Sequence, residues 1–150
     1  MIIWAFDTRK EDNVFTQDYL MRMFMQLAAA MKDSLLRARG QNDPRAAAEL
    51  LDTAVSDATE MDGDLLLRMA PESMAAMLQL SQPDPQLMEY VSRSLLLSSQ
   101  YLREAGDSDA SELRQNQAYA VARAFGIDLG EGSISQSELD SLFERSGLDL

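Results

Sequence analysis

The sequence contains no cysteine and no histidine, and each absence excludes a class of chemistry. Without cysteine there is no disulfide, no thiolate zinc site, no iron–sulfur cluster and no cysteine nucleophile. Without histidine the most common general base, proton switch and metal ligand is missing, and a Ser–His hydrolase is excluded. The many carboxylates include no pair that stands out as a catalytic acid and base. We therefore expect no catalytic residue, no cofactor and no metal, and a protein that is not an enzyme.

Basic residues are also scarce, since 13 Lys and Arg stand against 25 Asp and Glu, which gives a net charge of −12. Binding to nucleic acid needs a basic surface that neutralises phosphates. An anionic membrane repels an acidic protein for the same electrostatic reason. We expect neither nucleic acid nor a membrane as a partner.

Long hydrophobic runs are missing as well. The apolar start at residues 1–6 is followed at once by charged residues, unlike a signal peptide. The longest apolar helix candidate, residues 19–31, is shorter than the roughly 20 residues that span a membrane. Hydrophobic residues still make up 46% of the 150, which predicts one globular domain. The simplest interpretation is that this is a cytoplasmic protein, and we expect a bacterial source.

Strand patterns are almost absent, whereas helix patterns recur along the whole chain. The first helix is predicted over residues 17–39, where apolar residues recur every three or four positions. Asp43-Pro44 and Asp84-Pro85 are each typical of a helix start, with aspartate as the N-cap. About six helices joined by short loops favour an all-α fold of stacked antiparallel helical hairpins. The spacing of the two Asp-Pro starts favours a tetratricopeptide-like α-α superhelix, with a closed helical bundle as the alternative.

The chain organisation follows from the same pattern. Residues 1–14 are predicted as an apolar leader and linker, and residues 15–126 as the helical-hairpin array. Residues 127–150 add a Gly-rich loop and a C-terminal helix of the same domain. Ser135 is predicted as the N-cap of this helix, because Glu138 follows it at the spacing of a capping box. Four glycines are predicted to end helices, because glycine adopts the left-handed conformation of a helix C-cap. They follow the first, second, fourth and fifth predicted helices: Gly40, Gly63, Gly106 and Gly126.

Apolar spacing predicts the buried face of each later helix. In the second helix, the predicted inward residues are Ala47, Leu51, Ala54, Ala58 and Met61. In the helix over residues 71–80, they are Met74, Met77 and Leu78. In the helix that follows Gly106, they are Leu113, Ala120, Val121 and Ala124.

Charge is distributed unevenly along the first two predicted helices. Residues 19–47 carry five basic and two acidic residues, and residues 48–64 carry six acidic and no basic residues. We expect oppositely charged side chains on the flanks of the two helices to pair with each other. We also expect Asp33 and Arg37 to form an ion pair within the first helix.

The chain has ten methionines, and seven of them form two groups. Met21, Met23 and Met25 surround the first helix, and the second group lies around the second and third helices: Met61, Met69, Met74 and Met77. Methionine fills irregular cores and also forms surfaces that adapt to apolar partners. Residues 19–31 are apolar on nearly every side, so this helix either lies at the centre of the core or meets a partner. The apolar start has the same ambiguity, because it either packs over the end of the helical array or exchanges with a second subunit. We favour a homodimer.

The segment Phe15-Thr16-Gln17-Asp18-Tyr19-Leu20-Met21-Arg22-Met23 resembles the start of a family of uncharacterised bacterial helical proteins. The family begins with a similar F-x-Q-D-Y helix and continues as stacked helices of tetratricopeptide-like type. It has no assigned activity, so the resemblance implies a fold and no function.

These observations favour a non-enzymatic protein–protein interaction or scaffold module that offers a groove to a protein or peptide. The predicted partner-binding residues lie on the first helix: Asp18, Tyr19, Arg22, Met23 and Gln26. Arg22 would pair with a partner carboxylate, and Tyr19 would supply rigid contact area. The alternative is a small-molecule sensor or enzyme with a Met-lined pocket between the first three helices.

Overall fold

A computed structural model describes the backbone of residues 2–130 and 136–145, and the side chains of residues 17–130, 137 and 140–145. All regular secondary structure in this part of the chain is helical, which confirms the predicted all-α class. The α-helices are α1 (Ile2–Leu35), α2 (Pro44–Thr59), α3 (Gly63–Leu66), α4 (Pro71–Leu80), α5 (Pro85–Glu104), α6 (Ser108–Ala124) and α7 (Gln136–Arg145). In the described part of the chain, no helix is both long and apolar enough to cross a bilayer.

The first helix differs from its predicted bounds at both ends. It begins at Ile2, so the segment over residues 2–14 that was predicted as a leader and linker is helical and continuous with the rest of α1. At the other end it runs into a π-helical turn, Leu36–Gly40. Ser135, the predicted N-cap of the last helix, lies outside the described residues.

Aspartate caps start the helices where Asp-Pro predicts them. The Asp43 carboxylate accepts from the Ala46 amide at 3.1 Å, and the Asp84 carboxylate accepts from the Gln86 amide at 2.8 Å. Each carboxylate satisfies an amide that has no partner inside the helix, and proline in the first turn has no amide to satisfy.

Two of the predicted glycine caps are wrong. The left-handed residues after α1 and α2 are Asn42, with a φ of 53°, and Glu60, with a φ of 57°. Gly40 ends the π-helical turn without a positive φ, and Gly63 is the first residue of α3.

The helices pack in the spatial order α1, α2, α5, α6, α4. The pairs α1–α2 and α5–α6 are joined by short connections and form helical hairpins, as predicted. The helix α4, however, packs against α6 rather than beside the helix that precedes it. The tetratricopeptide-like superhelix stays a prediction.

The centre of the molecule is α5, which packs against α1, α2 and α6. Its buried residues cover every side of the helix, from Leu87 to Leu102. The Tyr101 hydroxyl lies 3.3 Å from the Ser34 hydroxyl, and burial raises the pKa of the Tyr101 phenol. In contrast, α1 buries one face through Phe24, Leu27 and Met31 and leaves the other exposed.

The predicted buried faces are correct in part. Met74 and Leu78 of α4 are buried, but Met77 is 40% exposed, and Ala75 is buried instead. In α6, Ala120 and Val121 are buried as predicted, whereas Leu113 and Ala124 are only half-buried. Three polar residues on α6 are buried instead: Ser111, Arg114 and Gln117.

Candidate binding site

An open groove of about 400 Å³ runs between α1 and α2. We call it the α1–α2 groove. Its α1 wall consists of Met23, Gln26, Ala29, Ala30 and Asp33. Its α2 wall consists of Leu50, Thr53, Ala54, Asp57 and Ala58. On each helix these positions recur at three- and four-residue intervals and include adjacent pairs such as Ala29 and Ala30, so they form one stripe that faces the other helix.

Four of the six apolar residues that line this groove are alanines. Ala30 and Ala58 are buried against the core, Ala54 is half-buried, and Ala29 is exposed. Alanine brings an incoming group close to the helix backbones, because its side chain ends at Cβ. The groove therefore combines an apolar surface with two carboxylates, Asp33 and Asp57, one on each wall.

Two of the five predicted binding residues line this groove. Met23 is buried in its α1 wall, and Gln26 is exposed there. Asp18, Tyr19 and Arg22 are exposed on α1 at positions that precede the groove. The Tyr19 hydroxyl donates to a carboxylate oxygen of Glu60, so it already has a partner within the chain.

The expected pairing of charges between the first two helices is not what forms. Among the described ion pairs, Arg39 binds Glu104 and Arg45 lies near Asp107, so both contact residues beyond α2. The predicted Asp33–Arg37 pair is not among them either. Of the acidic residues of α2, Asp52 binds Arg114 of α6, whereas Glu49 and Asp57 are exposed.

A second concave surface lies on the other side of α2, with a volume of about 490 Å³. We call it the acidic cavity. Its lining residues come from α2, α3, the segment that follows α3, and α6: Glu49, Asp52, Thr53, Ser56, Asp62, Gly63, Asp64, Leu67, Arg68 and Arg114. Thr53 lines both surfaces, so the acidic cavity adjoins the α1–α2 groove.

The side of the acidic cavity formed by α6 is a buried ion pair. Arg114 binds Asp52 through two parallel contacts, from Nε to Oδ1 at 3.2 Å and from Nη2 to Oδ2 at 3.1 Å. The Ser98 hydroxyl donates to the same Oδ1 at 2.8 Å. Such a bidentate pair has fixed geometry, and it joins α2, α5 and α6 in one place.

The same arginine holds the segment between α3 and α4. Its Nη1 donates to the Leu67 carbonyl at 3.1 Å and to Gln117 Oε1 at 2.7 Å. Gln117 Nε2 in turn donates to the carbonyls of Leu67 and Met69, each at 2.9 Å. Two side chains of α6 thereby satisfy backbone carbonyls that the short α3 leaves without partners.

Gly63 allows α3 to approach α2 closely. A Cβ at this position would overlap Ser56 Oγ and would lie 3.0 Å from Ser56 Cβ. The glycine is therefore required by the contact with α2, since its φ is not positive.

We expect Gly63→Ala to lower the free energy of unfolding by about 1–3 kcal/mol, because the added methyl group must displace α3 or Ser56. Urea denaturation followed by circular dichroism measures this change. The loss should shrink when Ser56→Ala removes the overlapping oxygen. Helix propensity alone gives the opposite sign, since alanine stabilises a helical position by about 0.5–1 kcal/mol relative to glycine. A neutral or stabilising Gly63→Ala would contradict the packing argument.

The lining residues determine what chemistry the two surfaces can offer. Within the described residues, no group of three or more acidic side chains is placed to hold a metal ion. The Ser56 hydroxyl donates to the Asp52 carbonyl at 2.9 Å, which is a contact within the helix. The side chains that line the two surfaces offer apolar contact in the groove and carboxylates that attract cations in both.

Comparison with protein-family models, with curated proteins and with solved structures finds no match. The resemblance of residues 15–23 to a helical family therefore stays a prediction.

Proposed function

We propose that this protein is a non-enzymatic interaction module that binds a segment of another protein in the α1–α2 groove. The observation that carries the proposal is the groove itself, which is open, elongated between two helices and lined by alanines with Met23 and Leu50. A groove of this kind is the standard site for a helix that inserts its apolar stripe between two others. Met23 and Gln26 are the predicted site residues that support this location.

The alternative of a Met-lined pocket for a small molecule has less support. Met23 is the one methionine among the residues that line the groove. A small-molecule site usually encloses its ligand, whereas this groove is open to solvent along α1 and α2. The cytoplasmic location and the possible homodimer stay predictions.

The test of the proposal is to fill the groove without disturbing the core. Ala29 is exposed and lines the groove, so Ala29→Arg places a long side chain there at little cost to folding. Ala76→Arg is the matched control, because Ala76 is exposed on α4 and lines neither concave surface. We expect proteins captured from the native cells by wild type and by Ala76→Arg to be lost with Ala29→Arg.

Each captured protein would then be purified and titrated against the three forms. We expect Ala29→Arg to weaken binding at least tenfold, which is about 1.4 kcal/mol, while Ala76→Arg leaves it unchanged. Equal affinity of Ala29→Arg and wild type for every captured partner would remove the groove from the binding site.

A further inference from the structure

We infer that the segment bound in the α1–α2 groove is a basic amphipathic helix of a partner protein. Its apolar stripe would lie on the alanine surface, and its Lys and Arg side chains would face the carboxylates at the rim. This inference rests on the proposed function and adds to it the chemistry of the partner.

The first argument is the charge of the groove. Asp33 and Asp57 lie on opposite walls, and both are exposed. Neither takes part in an ion pair among the described residues, and no basic residue lines the groove. A helix bound between the walls therefore meets a carboxylate on each of its two flanks. Basic residues on both sides of an apolar stripe fit this arrangement.

The second argument is that the adjoining acidic cavity extends the same charge. Asp52 and Arg114 cancel each other there, which leaves three carboxylates and the exposed Arg68. The carboxylates belong to Glu49, Asp62 and Asp64, and none of them forms an ion pair among the described residues. The charge changes sign nowhere along the groove, and the cavity beside Thr53 offers room for a long cationic side chain.

The third argument concerns the partners that the electrostatic field of the protein disfavours. The net charge of −12 repels acidic proteins, nucleic acid and anionic membranes at long range. The same field attracts a basic segment and raises its association rate. A second copy of this chain carries the same net charge, so it is the less favoured occupant and becomes an outcome of the test.

The experiment is a selection from a displayed library of 18-residue helical peptides in which Lys and Arg are as frequent as Asp and Glu. The targets are wild type, the groove-filled Ala29→Arg, and the charge-reversed Asp33→Lys with Asp57→Lys. We expect peptides enriched on wild type to combine an apolar stripe with an excess of basic residues, and to be lost on Ala29→Arg. On the charge-reversed protein the excess should become acidic.

A selected peptide would then be titrated by fluorescence anisotropy. We expect the charge-reversed protein to bind it about tenfold more weakly at 50 mM NaCl, with a smaller difference at 0.5 M NaCl because salt screens exposed charges. Asp109→Lys with Glu112→Lys is the matched control. It makes the same change of net charge on exposed positions of α6 and should leave most of the affinity intact.

The possible failures are distinguishable. Enrichment that is the same on wild type and on Ala29→Arg would overturn the groove as the site, and with it the proposed function. Enrichment that depends on the groove but shows no basic excess would overturn the basic partner alone. The α6 control separates the effect of net charge from that of the groove. An equal loss of affinity in this control would mean that net charge, and not the groove, sets the preference. Self-association of wild type that Ala29→Arg abolishes in analytical ultracentrifugation would identify a second copy as the occupant and overturn the inference.

Discussion

Arg114→Met is expected to lower the free energy of unfolding by about 3–5 kcal/mol, the usual cost of leaving one partner of a buried ion pair alone. The Asp52 carboxylate would lose the guanidinium and retain the Ser98 hydroxyl as its partner in the network. Gln117 Oε1 and the Leu67 carbonyl would each lose a donor as well. The measurement is urea denaturation followed by circular dichroism.

The matched control is Arg123→Met on the same helix. Arg123 and Glu72 lie 3.7 Å apart, but their side chains are 67% and 81% exposed, against 10% and 21% for Arg114 and Asp52. Exposed pairs contribute about 0–1 kcal/mol because water solvates both charges. We therefore expect a small effect from Arg123→Met. Equal effects from the two substitutions would show that burial of the Arg114 network adds nothing to stability.

A double replacement separates the ion pair from the rest of the network. Asp52→Leu with Arg114→Met removes both charges, and such replacements often cost little when the pair is simply buried. Here Arg114 also binds the Leu67 carbonyl and Gln117, so the double variant should recover only part of the loss. Full recovery would mean that the loss in Arg114→Met comes from the unpaired Asp52 carboxylate alone. No recovery would mean that it comes from the lost contacts with Gln117 and the segment after α3.

This network is also the part of the core that helical periodicity could not predict. Periodicity places apolar residues inward, and it gave Leu113 and Ala124 as buried positions in α6. Arg114 and Gln117 are buried because their partners, Asp52 and Leu67, come from distant parts of the chain. A pattern within one helix contains no information on such a partner.

Local signals predicted local structure well. The Asp-Pro pairs gave the starts of α2 and α5, because capping involves only the next few amides. Gly126 ends α6 with a φ of 68°, as its position predicts. Gly63 was misinterpreted since its small size serves a contact with Ser56 on another helix. The sequence alone does not distinguish a glycine that ends a helix from a glycine that allows two helices to approach closely.

The groove could be predicted on one wall only. Met23 and Gln26 were predicted to bind a partner because α1 is unusually apolar, which suggests an exposed apolar surface. Both line the groove, and their role in binding stays a prediction. Ala54 and Ala58 of α2 were assigned to the core, where alanine is equally common. Their part in the groove depends on the distance between α1 and α2, and on the Asp33–Arg37 pair not forming. Neither can be derived from the pattern of one helix.

Which helix forms the centre of the core is open to a direct test. Leu95→Ala on α5 is expected to lower the free energy of unfolding by about 2–5 kcal/mol, because Leu95 is fully buried and its removal leaves a cavity. Leu80→Ala is the matched control, with the same change at a side chain that is 81% exposed on α4. It should change stability by less than about 0.5 kcal/mol.

Met25→Ala completes the comparison, since residues 19–31 were expected either at the centre of the core or at a partner surface. Met25 is 46% exposed on α1, so its truncation should cost far less than that of Leu95. Chemical denaturation of the three variants measures all the values under one condition. A loss at Met25 as large as that at Leu95 would mean that this face of α1 is covered in solution, and the exposed stripe would then have to be assigned to self-association instead of a free surface.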